Sequence, residues 1–175
     1  LTFIRYHKHY DRIAQVWQNN IYNGLKQSQM ANPYVMAEEI RSNFGSDFKY
    51  VIQSTWNFGR ILSHGDKMFH KAGMYWEPEV IDMLSINLLK GDPELALKEP
   101  YSILLSESVA TAFFGDADPL GQTMRINNKN DVKVTGVTIT ILGPDGQPLE
   151  QGPAELSMGV WWDHRAAHRG KIRVE

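Results

Sequence analysis

The sequence predicts an α+β domain, a twisted mixed sheet with helices near 33–44, 78–84 and 106–114 and a β-rich C-terminal tail. Three observations carry that expectation. The apolar run Ser102 to Leu105 passes directly into a capped helical segment. Tyr34, Met36, Ala37, Ile40 and Phe44 recur at three- and four-residue spacings, the pattern of an amphipathic helix. Between 48 and 76, and again after 123, apolar and polar residues alternate between turn signals, as half-buried strands do.

In order, Arg12 to Gln18 alternates well enough for a strand, and Asn19, Asn20, Asn23 and Gly24 supply turn chemistry after it. Asn32-Pro33 reads as a helix start, with Asn as cap and Pro at the first helical position, and Asn43 or Gly45 as the stop. That helix is expected to pack on a sheet. Phe48 to Trp56 reads as a strand, and Arg60 to Trp76 as a hairpin turning at His64-Gly65-Asp66. Pro78 to Leu84 is a short helix, followed by an extended piece and a Gly91-Asp92-Pro93 turn. Ser106 and Glu107 suit a helix N-terminus, where a side-chain oxygen and negative charge meet unpaired N–H groups. Gly115 can take the left-handed conformation that commonly ends a helix. Strands follow at Thr123 to Ile126 and Val132 to Leu142, and Gly143 to Gly146 reads as a further hairpin turn.

Composition bounds the function. A chain of 175 residues accommodates one domain with a core, or two small subdomains. Net charge is −2 with no basic run, so neither nucleic acid nor an anionic membrane surface is implied by overall charge. No apolar run approaches the ~20 residues of a membrane-spanning helix. No signal-peptide pattern opens the chain, and the absence of an initiator Met is that of a fragment or a processed chain. The lack of cysteine excludes disulfides, thiolate metal sites and cysteine nucleophiles together.

The chemistry-bearing residues form no catalytic pattern. His7 and His9 would share one face of a strand, and His164 and His168 one face of a helix. The zinc-protease pattern needs Glu directly after the first His, and Arg165 stands there instead. These histidines read first as solvated or locally bonded groups, with a metal-dependent hydrolase that uses them as a third reading. Asp116 and Asp118 lack the remainder of a calcium loop and read as acceptors for their own loop backbone. Trp56, Trp76, Trp161 and Trp162, with Tyr75 and Tyr101, would form a sugar-binding platform in an alternative reading as a soluble extracellular ligand- or carbohydrate-binding module. Aromatics of this number serve more often as core or subdomain-interface residues. No Gly-x-Ser-x-Gly and no phosphate-binding Gly-rich loop is present, so the chain carries neither a serine-hydrolase elbow nor an ATP site. No catalytic, cofactor-binding or metal residue is assigned.

The densest signal is "LKEPYSILLSESVATAFFGDADPLGQTMRI", Leu97 to Ile126, followed by "VTGV", Val134 to Val137. This ordered run resembles the extracytoplasmic core domain of MacB/FtsX-type ABC transporter permeases. The residues that carry it best are Leu105, Ser106, Glu107, Phe114, Gly115, Asp118, Pro119, Leu120, Gly121 and Gly136. The upstream fit is looser, through "YHKHYDRIAQV" and "INLLKGDPELAL"; the resemblance runs over about 1–137 and then stops, the tail 138–175 not matching the family pattern. Two parts are therefore expected, a permease-type periplasmic core at 1–137 and a β-rich tail at 138–175. The resemblance implies a non-catalytic, cofactor-free domain at the outer face of the cytoplasmic membrane, relaying ATPase-driven motion to an exported substrate or envelope partner. It implies further that the membrane spans lie outside this segment. A cytoplasmic ATPase subunit or domain would be coupled through those spans, with a periplasmic adaptor or a second permease protomer as a further partner. Within the signature, Phe113, Phe114 and Leu120 are expected to anchor helix and loop to the sheet, Phe114 as a buried residue.

Overall fold

The structure, a computed structural model, describes residues 10–139 and 160–163. The chain divides into two compact units, 1–53 and 54–175.

In the first unit, a 3-10 turn at Tyr10–Arg12 stands where the first strand was expected to begin. The hairpin lies further on, as β1 (Gln18–Tyr22) and β2 (Leu25–Gln29), paired from Gln18↔Gln29 to Tyr22↔Leu25. Its cause is local. Asn23 and Gly24 both take positive φ, 50° and 78°, the conformation of a two-residue hairpin turn whose twist matches its strands. Asn19 and Asn20 therefore belong to a strand rather than to the turn.

The helix α1 spans Met36–Phe44, three residues shorter than expected at its start. Asn32 does not cap it. The Asn32 amide donates instead to the carbonyls of Val16 (2.9 Å) and Met30 (3.1 Å). The chain enters the helix through a turn in which the Met36 N–H donates to the Pro33 carbonyl at 3.0 Å. Of the apolar stripe, Ala37 is buried, whereas Tyr34 and Phe44 are exposed. Gly45 keeps helical backbone and opens a 3-10 turn, Gly45–Asp47, so no left-handed glycine ends α1. The expected strand at 48–56 does not form. Arg41 Nε and Nη2 occupy the Val51 carbonyl at 2.9 and 2.6 Å, and the ladder contact there is a single bridge, Ser54↔Trp76.

The second unit holds the large sheet. Its strands are β3 (Phe58–His64), β4 (Lys67–Trp76), β5 (Leu88–Lys90), β6 (Ser102–Ser106), β7 (Thr123–Ile126), β8 (Asn130–Thr138) and β9 (Val160–Asp163). The hairpin β3–β4 turns at Gly65 and Asp66, while His64, expected in the turn, is the last residue of β3 and pairs with Lys67. Helix α2 covers Val80–Met83, within the predicted 78–84, and α3 covers Glu107–Phe114. The hydrogen-bonded order is β5-β8-β6-β9-β4-β3-β7, and β7 pairs back onto β8. The six strands β8, β6, β9, β4, β3 and β7 thus close a ring, with β5 added alongside β8. Closure removes the unpaired edges that an open sheet would carry. The sheet is mixed: β6–β8 and β4–β9 are parallel, the other pairings antiparallel.

The core explains the pattern. Leu62, Ile103, Leu105, Met124, Ile126, Val132, Val134 and Val137 form one buried cluster with Val109, Ala110 and Phe113 of α3. All five residues of β6 are buried, as expected of a strand covered on both faces. Along β8 the inward residues step by two from Val132 to Val134, then by three to Val137. The register accounts for this: Ile103 pairs Val134 but Leu104 pairs Gly136, so Thr135 is an inserted bulge residue that resets the alternation. Leu104, turned by strand alternation to the opposite face from Ile103 and Leu105, is also buried, and Met74, Trp76, Val80, Ile81, Leu84, Ala96 and Leu97 are buried outside the cluster.

Candidate functional site

The strand–helix–loop from Lys98 to Gly121 belongs to the second unit, its strand β6 paired with β8 and β9, and its residues have local physical roles. Ser106 ends β6 in extended conformation, and its side chain accepts from the Val109 N–H at 3.4 Å, the expected cap of α3. Leu105 is fully buried in the core cluster, and Glu107 is exposed in the first turn. Gly115 has φ 60° and ψ −124°, outside the left-handed helical well and in a region costly to any residue with a Cβ. Its N–H donates to the Thr111 carbonyl at 2.8 Å and closes the helix.

The aromatic anchors differ from expectation. Phe113 is buried in the core cluster, with its ring edge-on to Phe69 at 4.9 Å, whereas Phe114 is only partly buried. Phe114 packs on His64 at 4.7 Å between centroids. Successive residues on a helix point about 100° apart, so only one of the pair can face the sheet squarely. Leu120 is half-buried and Pro119 buried. The loop is tied to the sheet by the backbone: Gly121 donates to the Val134 carbonyl at 2.8 Å, and Val134 donates to the Gln122 carbonyl at 2.9 Å. Asp118 accepts from the Leu120 N–H at 3.4 Å and from Lys90 Nζ at 3.2 Å, so it serves its own loop and also ties the loop to β5.

Gly136 is a close-approach position. A Cβ there would lie 2.7 Å from Leu104 Cδ2 and 3.2 Å from the Lys90 carbonyl, so the side chains of β6 and the backbone of β5 occupy its place. Beside it, the Thr135 hydroxyl donates to the Ile103 carbonyl at 3.4 Å and accepts from the Leu97 N–H at 3.5 Å, which satisfies groups the bulge would otherwise strand.

Two contacts were not legible from the sequence. Lys67, first residue of β4, donates through Nζ to the carbonyls of Ala112 (3.0 Å) and Phe113 (2.7 Å) at the end of α3. A cation placed there meets carbonyls that no helical N–H can reach. Arg60 lies over the rings of Phe58 (5.2 Å) and Tyr75 (5.9 Å). Tyr75 is pushed up to about 12 by burial, partly offset by the charge of Arg60 and a hydrogen bond from it. Neither lysine after a hairpin turn nor arginine on a strand carries a periodic signal.

The remaining candidates bring no further site together among the described residues. His7, His9, His164 and His168, and the hairpin expected at Gly143–Gly146, lie outside the described residues. Among the described residues no group of three or more His, Asp or Glu side chains could hold a metal ion. Trp76 is buried, Trp56 and Tyr101 are exposed, and Tyr75 is half-buried. Trp161 and Trp162 lie on β9, paired by backbone with β4 and β6. Among the described residues no helix is long and apolar enough to cross a membrane.

Comparison with known proteins places this arrangement. No curated relative matches the chain. A domain of a protein described as a permease, from Porphyromonas gingivalis, superposes with TM-score 0.60 at 19% identity, over 79% of this chain and 55% of that one. The extracellular domain of the noncanonic ABC-type transporter YknZ from Gram-positive bacteria gives 0.53 at 13% identity, over 77% and 63%. The periplasmic region of MacB from Actinobacillus actinomycetemcomitans gives 0.48 at 21% identity, over 73% and 55%. At these identities the first two establish a shared fold, and the chain spans between 55% and 63% of the length of the three. A family model described as the MacB-like periplasmic core domain matches residues 1–165, so the expectation that the family pattern stops at Val137 is overturned: the match runs on through β9. With the match running over nearly its whole length, the chain belongs to the family of MacB-like periplasmic core domains, the periplasmic domains of ABC transporter permeases.

Proposed function

We propose that this domain works as a mechanical relay in a longer permease, without chemistry of its own. Motion originating in a cytoplasmic ATPase subunit or domain would reach it through membrane spans, and it would pass the displacement to a periplasmic adaptor, a second permease protomer or the exported substrate. The observation that supports this reading is the way α3 is gripped. Ser106 holds its first turn, Lys67 its last, and the strand that feeds it is buried along its full length. Such a strand–helix unit moves as one body rather than bending, because close-packed cores transmit strain. In this reading Leu105, Ser106, Glu107, Phe114, Gly115, Asp118, Pro119, Leu120, Gly121 and Gly136 are framework residues. The core would not end at 137, as the division into 1–137 and 138–175 has it, because β9 (Val160–Asp163) joins β4 to β6 within the ring.

The test uses the full transporter in lipid nanodiscs, with a spin label at Thr111→Cys on the exposed side of α3 and another on the ATPase. Electron–electron distance measurements are expected to differ between nucleotide-free and ATP-bound states. One unchanged distance distribution through the nucleotide cycle would overturn the relay.

A further inference from the structure

The β1–β2 hairpin has a composition that the rest of the fold does not use. Its shaft is polar and uncharged: Gln18, Asn19 and Asn20 face Gln27, Ser28 and Gln29 across the pair. Its tip is apolar and open to solvent, with Ile21 78%, Tyr22 67% and Leu25 68% exposed. Side chains alternate along a strand, and directly paired residues share a face. Tyr22 and its partner Leu25 therefore lie on one face, and Ile21, paired with Lys26, on the other. Each face of the tip thus carries an exposed apolar side chain, with Lys26 beside Ile21 on one of them. A hairpin lying on a flat protein surface would need only one such face.

We infer that this tip dips into the interfacial layer of a lipid bilayer. The occupant follows from three properties. First, apolar side chains on both faces need an apolar medium around them. Second, the apolar stretch is two residues on β1, Ile21 and Tyr22, and one on β2, Leu25, so it rises roughly 7 Å along the hairpin. That depth matches the ~5–10 Å to which interfacial elements sink, and the Asn20–Gln27 pair marks the stop. Third, no carboxylate lies between Arg12 and Glu38, while Lys26 sits beside the tip. Nothing in the segment repels lipid phosphate, although the chain as a whole is weakly acidic. The Tyr22 hydroxyl and the Lys26 ammonium would reach back to the headgroups. The backbone permits this depth and no more. The tight turn leaves few peptide groups outside the hairpin ladder, and such groups are costly in hydrocarbon but not at the headgroup level.

The inference stands apart from the relay, and its failure would leave that reading untouched. Because the chain has no cysteine, Leu25→Cys places a polarity-sensitive fluorophore at one site. Phosphatidylcholine vesicles are expected to shift its emission to the blue, and brominated lipid to quench it. Replacing Ile21 and Tyr22 by Asn should lower the partition coefficient at least about tenfold, with the circular dichroism of the domain unchanged. Lys26→Glu should weaken binding to vesicles containing phosphatidylglycerol and not to phosphatidylcholine alone. The proposal is overturned if neither vesicle type shifts the probe. It is equally overturned if the Ile21/Tyr22 variant binds as before, or if only a protein partner, and no vesicle, shifts the emission.

Discussion

Asn127 and the backbone of Ile61 hold each other twice: the Ile61 N–H donates to Asn127 Oδ1 at 3.0 Å, and the Asn127 N–H donates to the Ile61 carbonyl at 2.8 Å. This pair of hydrogen bonds lies where β3 meets β7, whose register is otherwise Leu62↔Ile126 and Ser63↔Arg125. Asn127 does so at φ 50°, a conformation that asparagine tolerates and most residues resist. It is thus both the turn residue after β7 and a clasp on the closing seam.

Asn127→Ala loses the side-chain acceptor, worth about 1 kcal/mol, and adds roughly 1 kcal/mol of left-handed strain. Asn127→Gly loses the acceptor alone. Urea unfolding should therefore rank wild type above Gly and Gly above Ala. Equal losses in the two variants would show that backbone conformation is not part of what Asn127 supplies.

Lys67 couples the β3–β4 turn to the end of α3. Lys67→Met keeps the apolar stem and removes the charge and the donors, so the Ala112 and Phe113 carbonyls fall back on water. The expected loss is about 1–2 kcal/mol in a chemical melt, with Lys67→Arg close to wild type. Hydrogen exchange should speed up first in the last turn of α3. Unchanged exchange there would mean that the helix end holds without the lysine.

What could be read from the sequence was local. Ser106 as cap, Gly115 as stop and the Gly65-Asp66 turn act through neighbours a few residues away, and the structure has all three. Asn32-Pro33 looked equally local, yet the Asn32 amide reaches Val16, sixteen residues back, and a tertiary bond displaced a capping preference. Ring closure was hidden for the same reason, since β9 lies between β4 and β6 and a pairing at that separation leaves no periodic trace. The framework loop was partly legible: Asp118 does bond its own turn, but its link to Lys90 depends on where β5 runs.

The choice between the two aromatics at the end of α3 also required the fold. Phe113, within the core cluster, should cost about 3–5 kcal/mol on replacement by Ala. Phe114, resting partly exposed on His64, should cost distinctly less. Paired thermal melts check the order, and a reversal would place the helix face wrongly.

Gly136 tests the close approach of β6 to β8. In Gly136→Ala the new methyl meets Leu104 Cδ2, the end of a side chain that is itself fully buried and cannot swing away freely. Overpacking of this kind costs about 1–3 kcal/mol. Adding Leu104→Val should return part of that loss, because it removes reach where the methyl intrudes. A double-mutant cycle with no coupling would show that the strain falls on the Lys90 carbonyl instead.

Tyr75 gives the fold a dependence on alkaline pH. Burial is the main cause that pushes it up to about 12, from an ordinary value near 10. The folded state therefore keeps the proton more tightly than the unfolded chain does. The associated stability is complete below pH ~10 and is lost as pH rises toward 12, because ionisation favours the unfolded state in that window. Arg60 works in the opposite direction, through its charge and its hydrogen bond, so Arg60→Met should raise the Tyr75 value further. Tyrosinate absorbance, followed against Tyr75→Phe to isolate this residue, measures both shifts. A Tyr75 that titrates earlier in the Arg60 variant would mean that the ring is more open to water than its burial indicates.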